Sequence, residues 1–132
     1  MPLSEYKTVL VTGASSGVGM ASVRALRGRG LDVIALARRE ERLEPLAEET
    51  GCRVMVQDLL DTEKIYTNLP DLGADILINN AGLGRGYEGF LRSTANEIQE
   101  MVNLNVSAAF HVTRALAEGM VERKSGHIIQ LG

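Results

Sequence analysis

The sequence is poor in the features that mark disulfide-rich, membrane-spanning and nucleic-acid-binding proteins. Its one cysteine, Cys52, permits no disulfide within the chain, which makes the cytoplasm the default location. No apolar run approaches the roughly 18 residues of a membrane span. Residues 1–5 lack the charged start and apolar core of a signal peptide. The net charge is −3 without a basic block, which argues against nucleic acid as a main partner. No His, Cys, Asp or Glu spacing suggests a metal site.

Glycine and aliphatic residues are what the chain has in abundance. The 132 residues include 14 glycines but only two phenylalanines, and 45% of them are hydrophobic. This composition suits one soluble globular domain with many strand–helix turns around an aliphatic core.

A glycine-rich turn separates a strand pattern from a helix pattern near the start of the chain. Residues 8–11 are a short apolar run, Gly13, Gly17 and Gly19 follow, and residues 20–27 have helical periodicity. This layout is typical of a phosphate-binding unit, because the glycines let a phosphate approach backbone N–H groups at a positive helix end. An ordinary strand–helix turn is the alternative.

The rest of the chain continues the alternation of strand and helix patterns. Strands are predicted at 6–11, 33–36, 53–56, 75–78 and 127–131, and helices at 17–29, 40–49, about 62–68 and 94–121. We therefore expect an α/β fold, a doubly wound parallel sheet of the Rossmann type, truncated after the fifth strand. Residues 1–132 would then be an incomplete dinucleotide-binding domain, the N-terminal half of a longer protein.

Three motifs in this order resemble the short-chain dehydrogenase/reductase family. They are the turn Thr12-Gly-x-x-x-Gly-x-Gly, Asp58 after the third strand and Asn79-Asn80-Ala81-Gly82 after the fourth. The resemblance implies an oxidoreductase that moves a hydride between a nicotinamide cofactor and a carbonyl or secondary alcohol. Residues 81–84, and 119–123 ahead of 126–129, look similar to members acting on small 3-hydroxy acids such as serine.

The family's cofactor contacts can be carried over residue by residue. The Asp58 carboxylate would bond the adenine amino group and Leu59 would present its backbone, although an Asp at a strand end can also cap the next turn. Asn79 would tie strands together. The remaining contacts implied around the glycine turn and the fourth strand are Gly13, Ser15, Ser16, Gly17, Val18, Gly19, Asn80, Ala81 and Gly82.

The end of the second strand decides between the two dinucleotides. An NAD enzyme usually places an acid there for the ribose diol, but this chain has Ala37 followed by Arg38 and Arg39. A guanidinium binds a 2′-phosphate through charge-assisted bonds. We therefore expect NADP rather than NAD, with Arg38 as the main phosphate ligand and Arg39 beside it. Two solvated arginines opening a charged helix are the alternative.

The catalytic residues of the family are incomplete in this chain. The resemblance assigns Asn105 the role of bending the long helix and holding a water that links a catalytic lysine to solvent. None of Tyr6, Tyr66 and Tyr87 is followed by lysine four residues later, and the catalytic serine would fall directly after Gly132. A non-catalytic dinucleotide-binding or sensor module, and a fragment that binds nothing, are the alternative functions.

The predicted helix 94–121 carries more apolar residues than one sheet face needs. A stripe of apolar residues runs along the helix from Ile98 through Val106 and Phe110 to Met120. Val112 adds an apolar side chain on the other side of the same helix. Family members pair this helix with its symmetry mate. We expect a homodimer or homotetramer formed through this helix.

Overall fold

The computed structural model contains a five-stranded, fully parallel sheet in the order β3-β2-β1-β4-β5. It describes residues 2–15, 17–82 and 89–131, so the prediction for Ser16 lies outside the described residues. The strands are β1 Thr8–Thr12, β2 Asp32–Ala37, β3 Arg53–Val56, β4 Ile76–Asn79 and β5 His127–Gln130. The predicted strand positions are confirmed to within two residues at each end.

Helices cover both faces of this sheet. Their bounds are α1 Gly17–Gly28, α2 Glu40–Thr50, α3 Thr62–Asn68, α4 Ala95–Val102 and α5 Ala109–Arg123. One apolar cluster joins alternate strand residues such as Val9 and Val33 to Val23 of α1 and Leu43 of α2. The other cluster packs the opposite strand face against α3 and α5. A doubly wound parallel sheet of the Rossmann type is therefore confirmed.

The helix ends follow the local sequence signals. Gly51 ends α2 in the left-handed conformation, at φ 75°, and Asp61 caps α3 by accepting from the Lys64 N–H. Thr94 caps α4 and forms a capping box with Glu97. These contacts explain why the helix starts could be read from the sequence.

The prediction of one α-helix over 94–121 is wrong in one respect. Residues Asn103–Ala108 form a π-helical turn between α4 and α5, so the wider helical turn lies at the segment that contains Asn105. The expectation that Val112 and Met120 add to the apolar surface that the sheet does not cover is also wrong. Val112 is completely buried and Met120 is 5% exposed, because both pack against the sheet together with Leu116.

Two features of the described residues concern membranes and metal ions. None of the helices there combines the length and apolarity needed to cross a membrane. Residues 2–15, 17–82 and 89–131 contain no cluster of three or more His, Cys, Asp or Glu side chains arranged for a metal ion. Cys52 is a free, buried cysteine.

Candidate functional site

The candidate site lies at the carboxyl edge of the sheet, where β1 is flanked by β2 on one side and β4 on the other. The chain continues from β2 into α2 on one face of the sheet and from β4 toward α5 on the opposite face. A crevice therefore opens above the end of β1. In open α/β sheets ligands bind at such a reversal of strand order.

The glycine turn after β1 is packed against the end of β4. Gly13 has φ +62°, and a Cβ built on it would lie 2.9 Å from the Ala81 Cα. A Cβ on Gly19 would collide with the Gly13 carbonyl oxygen and come within 2.7 Å of Asn80 Nδ2. Both positions therefore require glycine, one for its backbone conformation and both for the close approach of two chain segments. Gly17 also has a positive φ, +55°, at the start of α1.

Thr12 connects this turn to the end of β4 through buried hydrogen bonds. Its Oγ1 accepts from the backbone N–H groups of Asn80 and Ala81, each at 2.9 Å, and donates to Asn79 Oδ1 at 3.2 Å. Asn79 Nδ2 donates onward to the Ala109 carbonyl oxygen at 3.0 Å. The structural role predicted for Asn79 therefore has a direct basis in these contacts.

Asn80 combines a structural contact with a place at the crevice. Its Nδ2 donates to the Gly13 carbonyl oxygen at 3.2 Å. The same residue lines a cleft of about 260 Å³ above the sheet. The described residues that line this cleft are Gly13, Ser15, Leu36, Ala37, Arg38, Gln57, Leu59, Asn80, Ala81, Gly82 and Leu104. Seven of the thirteen predicted cofactor residues thus meet in one place.

Asp58 and Gln57, which follow β3, make different contacts. Asp58 Oδ1 accepts from the Leu60 N–H at 2.9 Å and so caps the following turn, the alternative that the sequence left open. Gln57 lines the cleft instead, and only 5% of its surface is exposed. Its Oε1 accepts from Asn68 Nδ2, while its Nε2 has no hydrogen-bond partner within the described part of the chain. Sequence analysis missed Gln57, although its position directly before Asp58 was a usable signal.

Arg38 and Arg39 stand where β2 gives way to α2. Arg38 lines the cleft, and both arginines line a neighbouring polar cavity of about 230 Å³ together with Ser15 and Arg42. Arg39 is the N-cap residue of α2 and makes no side-chain capping bond. The first backbone N–H groups of α2 therefore add positive potential beside the guanidinium groups. Arg42 is a second residue that sequence analysis missed, although it follows Arg38 at helical spacing.

Asn105 lies in the π-helical turn, next to the end of β4. A Cβ built on Gly82 would lie 3.0 Å from Asn105 Oδ1, which shows how closely these segments approach. Asn105 and Val18 border a second cavity of about 560 Å³. That cavity also contacts Asn80, Ala81 and Gly82, so it adjoins the cleft at the end of β4.

The described tyrosines do not take part in this crevice. Tyr66 forms a 2.7 Å hydrogen bond with His111 Nδ1, and the Arg114 guanidinium stacks over its ring at 5.5 Å. His111 of α5 therefore packs against α3. Tyr6 is buried in the core cluster on the opposite sheet face from α3.

One ion pair with a shifted pKa lies between α1 and α2, away from the crevice. Arg24 donates to both carboxylate oxygens of Glu49, at 2.6 and 3.0 Å. This hydrogen bond holds the pKa of Glu49 below its usual range and raises the pKa of Arg24. Both side chains are about half exposed, so the pair contributes little to stability.

Comparison with known proteins gives concordant matches. The sequence profile described as short chain dehydrogenase matches residues 7–132. The NADP-dependent 3-hydroxy acid dehydrogenase YdfG of Escherichia coli is 38% identical over 131 residues, which cover 94% of this chain and 53% of that protein. The chain spans about half the length of the curated relatives it matches.

Solved structures match the same fold. The crystal structure of serine dehydrogenase from Escherichia coli has a TM-score of 0.88 and 38% identity, covering 95% of this chain and 61% of that one. The closed form of serine dehydrogenase complexed with NADP+ also has a TM-score of 0.88 and 38% identity, covering 95% and 53%. The predicted similarity to members acting on 3-hydroxy acids is therefore confirmed.

Proposed function

Since this chain belongs to the short chain dehydrogenase family, we propose that it forms the cofactor-binding part of an NADP-dependent oxidoreductase. The protein transfers a hydride between the nicotinamide and a carbonyl or secondary alcohol of a small molecule. The relatives named as NADP-dependent 3-hydroxy acid dehydrogenase and serine dehydrogenase favour a small 3-hydroxy acid as substrate.

The observation that carries the choice of NADP is the pair of arginines at the end of β2. Arg38 lines the cleft, where an NAD enzyme presents a carboxylate to the ribose diol. A guanidinium attracts a 2′-phosphate and offers it paired donors, whereas a carboxylate would repel it. Arg39 and the uncapped start of α2 add to the same positive potential.

The remaining groups of the cofactor fit the other parts of the crevice. The pyrophosphate would be held by the backbone of the turn at Gly13 and by the first N–H groups of α1, which begins at Gly17. The adenosine would occupy the cleft of about 260 Å³ between Leu36 and Leu59 on one side and Ala81 on the other. When bound, the nicotinamide supplies or accepts the hydride. Asn105, beside the second cavity, would hold the water of a proton relay.

Binding measurements on the full-length protein test this proposal. We expect tighter binding of NADPH than of NADH, and Arg38→Ala should weaken NADPH binding by about 1–3 kcal/mol while NADH binding stays nearly unchanged. Arg29→Ala is the matched control, because it removes the same charge from an exposed site after α1. Equal losses for both cofactors would contradict the assignment of Arg38.

Catalysis should depend on more than this chain. The sequence has no tyrosine followed by lysine four residues later, and a missing acid–base step costs about 10²–10⁴ in rate. We expect a verified preparation of residues 1–132 to bind NADPH without catalysing hydride transfer. Turnover above that of a Gly17→Trp control, measured by nicotinamide absorbance, would contradict this expectation.

The outer face of the long helix would form a homodimer or homotetramer. Ile98, Val102, Val106 and Phe110 follow one another at four-residue spacing, and Phe110 is 73% exposed. In sedimentation of the full-length protein, Phe110→Asp should shift the oligomer to monomer with unchanged far-UV circular dichroism. An unchanged oligomer would exclude this face as the interface.

We further propose a cytoplasmic location, because the single cysteine, Cys52, leaves no disulfide to form within the chain. Cell fractionation tests it, and recovery of the protein outside the cytoplasm would contradict it.

A further inference from the structure

Arg42 shares a polar cavity with the two arginines assigned above to the 2′-phosphate. The cavity measures about 230 Å³, and the described residues lining it are Ser15, Arg38, Arg39 and Arg42. All three arginine residues are exposed, so a ligand can reach their guanidinium groups from solvent. The cavity opens beside the adenosine cleft, because Ser15 and Arg38 line both.

The three arginines have no carboxylate partner within residues 2–15, 17–82 and 89–131. The ion pairs found there belong to Arg24, Arg53 and Lys64, which are also exposed cations. Unpaired like charges that converge on one cavity repel each other, and an anion between them relieves that repulsion. The arrangement is therefore typical of an anion site rather than of a surface ion-pair network.

The helix geometry explains why Arg42 reaches this cavity. Arg39 is the N-cap of α2, and Arg42 lies in the first turn, where its N–H donates to the Arg39 carbonyl oxygen at 3.2 Å. Side chains on a helix lean toward its N-terminus. Arg42 therefore covers the start of α2, whose N–H groups have no side-chain cap.

Arg42 raises the positive charge of the segment that opens α2. Residues 38–42 contain Arg38, Arg39 and Arg42 together with Glu40 and Glu41, so the segment has a net positive charge. The three arginines line the cavity, whereas neither glutamate is among its lining residues. Arg42 therefore strengthens the attraction for a phosphate monoester, which carries about −1.5 to −2 charges at pH 7.

We propose that Arg42 is a third ligand of the cofactor's 2′-phosphate and a determinant of the preference for NADP over NAD, which rests on the proposed function. Arg38, Arg39 and Arg42 line the same cavity of about 230 Å³, which is where a 2′-phosphate would meet all three side chains. The guanidinium of Arg42 makes a charge-assisted hydrogen bond to it.

Calorimetric titration of the full-length protein with two nucleotides tests the proposal. The probes are adenosine 2′,5′-bisphosphate and adenosine 5′-monophosphate, which differ in the 2′-phosphate alone. Arg42→Ala should weaken binding of the bisphosphate about tenfold and change binding of the monophosphate by less than about twofold. Arg42→Lys should fall between wild type and Arg42→Ala, because a point charge replaces the planar fork. Arg29→Ala, the charge-matched control, should leave both affinities unchanged.

Each contrary outcome has a separate meaning. If Arg42→Ala weakens both nucleotides equally, or neither, Arg42 is not a ligand of the 2′-phosphate and the proposal is overturned. If the wild-type protein binds the bisphosphate no better than the monophosphate, the preference for NADP fails first, and the role of Arg42 fails with it. Far-UV circular dichroism of the variants separates these outcomes from loss of α2.

Discussion

Adding one methyl group to Gly19 should disrupt the crevice, whereas the same change at Gly28 of the same helix should be harmless. A Cβ on Gly19 would overlap the Gly13 carbonyl oxygen, lie 2.8 Å from the Gly13 carbonyl carbon and 2.7 Å from Asn80 Nδ2. Backbone atoms cannot move aside as a flexible side chain can, so the turn itself must shift. Gly28 has no heavy atom within 4 Å of its Cβ position and no positive φ.

The magnitude follows from three contributions. Overpacking at a rigid contact costs about 1–3 kcal/mol. The shift also stretches the hydrogen bond from Asn80 to the Gly13 carbonyl oxygen, worth about 1 kcal/mol. The better helix propensity of alanine returns up to about 1 kcal/mol. We expect Gly19→Ala to lower the free energy of unfolding by about 1–3 kcal/mol, and Gly28→Ala to raise it by up to about 1 kcal/mol.

Urea unfolding of the full-length variants and titration with NADPH measure both consequences. Gly19→Ala should weaken NADPH binding, because the turn that holds the pyrophosphate has moved, whereas Gly28→Ala should bind as wild type does. If Gly19→Ala matches Gly28→Ala in stability and in NADPH affinity, the reasoning from close packing of the turn on β4 is refuted.

Three further predictions concern single side chains. Thr12→Val should cost about 1–3 kcal/mol in urea unfolding, because it leaves the half-buried N–H groups of Asn80 and Ala81 without their acceptor. Thr12→Ser should restore most of this loss, and a loss below about 1 kcal/mol would contradict the reasoning. Glu49→Gln should lower stability only slightly at pH 7, because the hydrogen bond from Arg24 lowers the folded pKa of Glu49 but both side chains are about half exposed. That contribution is present above the unfolded carboxyl pKa of about 4.3 and disappears as pH falls through the folded value, so a difference that persisted at low pH would refute the cause. Gln57→Met should keep or raise thermal stability, because it removes an unpaired buried donor, whereas a clear loss would show that Gln57 supports α3.

The sequence predicts the fold well because the fold depends on local signals. Apolar runs mark the strands, and glycine, threonine and aspartate mark turns and caps, as at Gly51, Thr94 and Asp61. The π-helical turn at 103–108 has no such local signal, and the pointer to it is the resemblance, which assigns Asn105 the role of bending the helix. The same limit explains Val112, since a helix that is apolar on two sides does not reveal which side meets the sheet.

The candidate site is predictable where the backbone creates it and less so where side-chain direction decides. The glycine turn and Asn80 follow from motif spacing and lie at the crevice. Gln57 and Asp58 follow β3, which ends at Val56, and of the two only Gln57 lines the cleft. Outside the strand the alternation of side chains no longer indicates which residue faces the cleft, so the sequence does not determine it.

A crystal structure of the full-length protein with NADP bound tests the central claim most directly. We predict the pyrophosphate over the turn from Gly13 to Gly19, the adenosine in the cleft beside Leu59, and the 2′-phosphate within hydrogen-bond distance of Arg38. A cofactor bound elsewhere, or a 2′-phosphate that faces solvent without an arginine contact, would contradict the account.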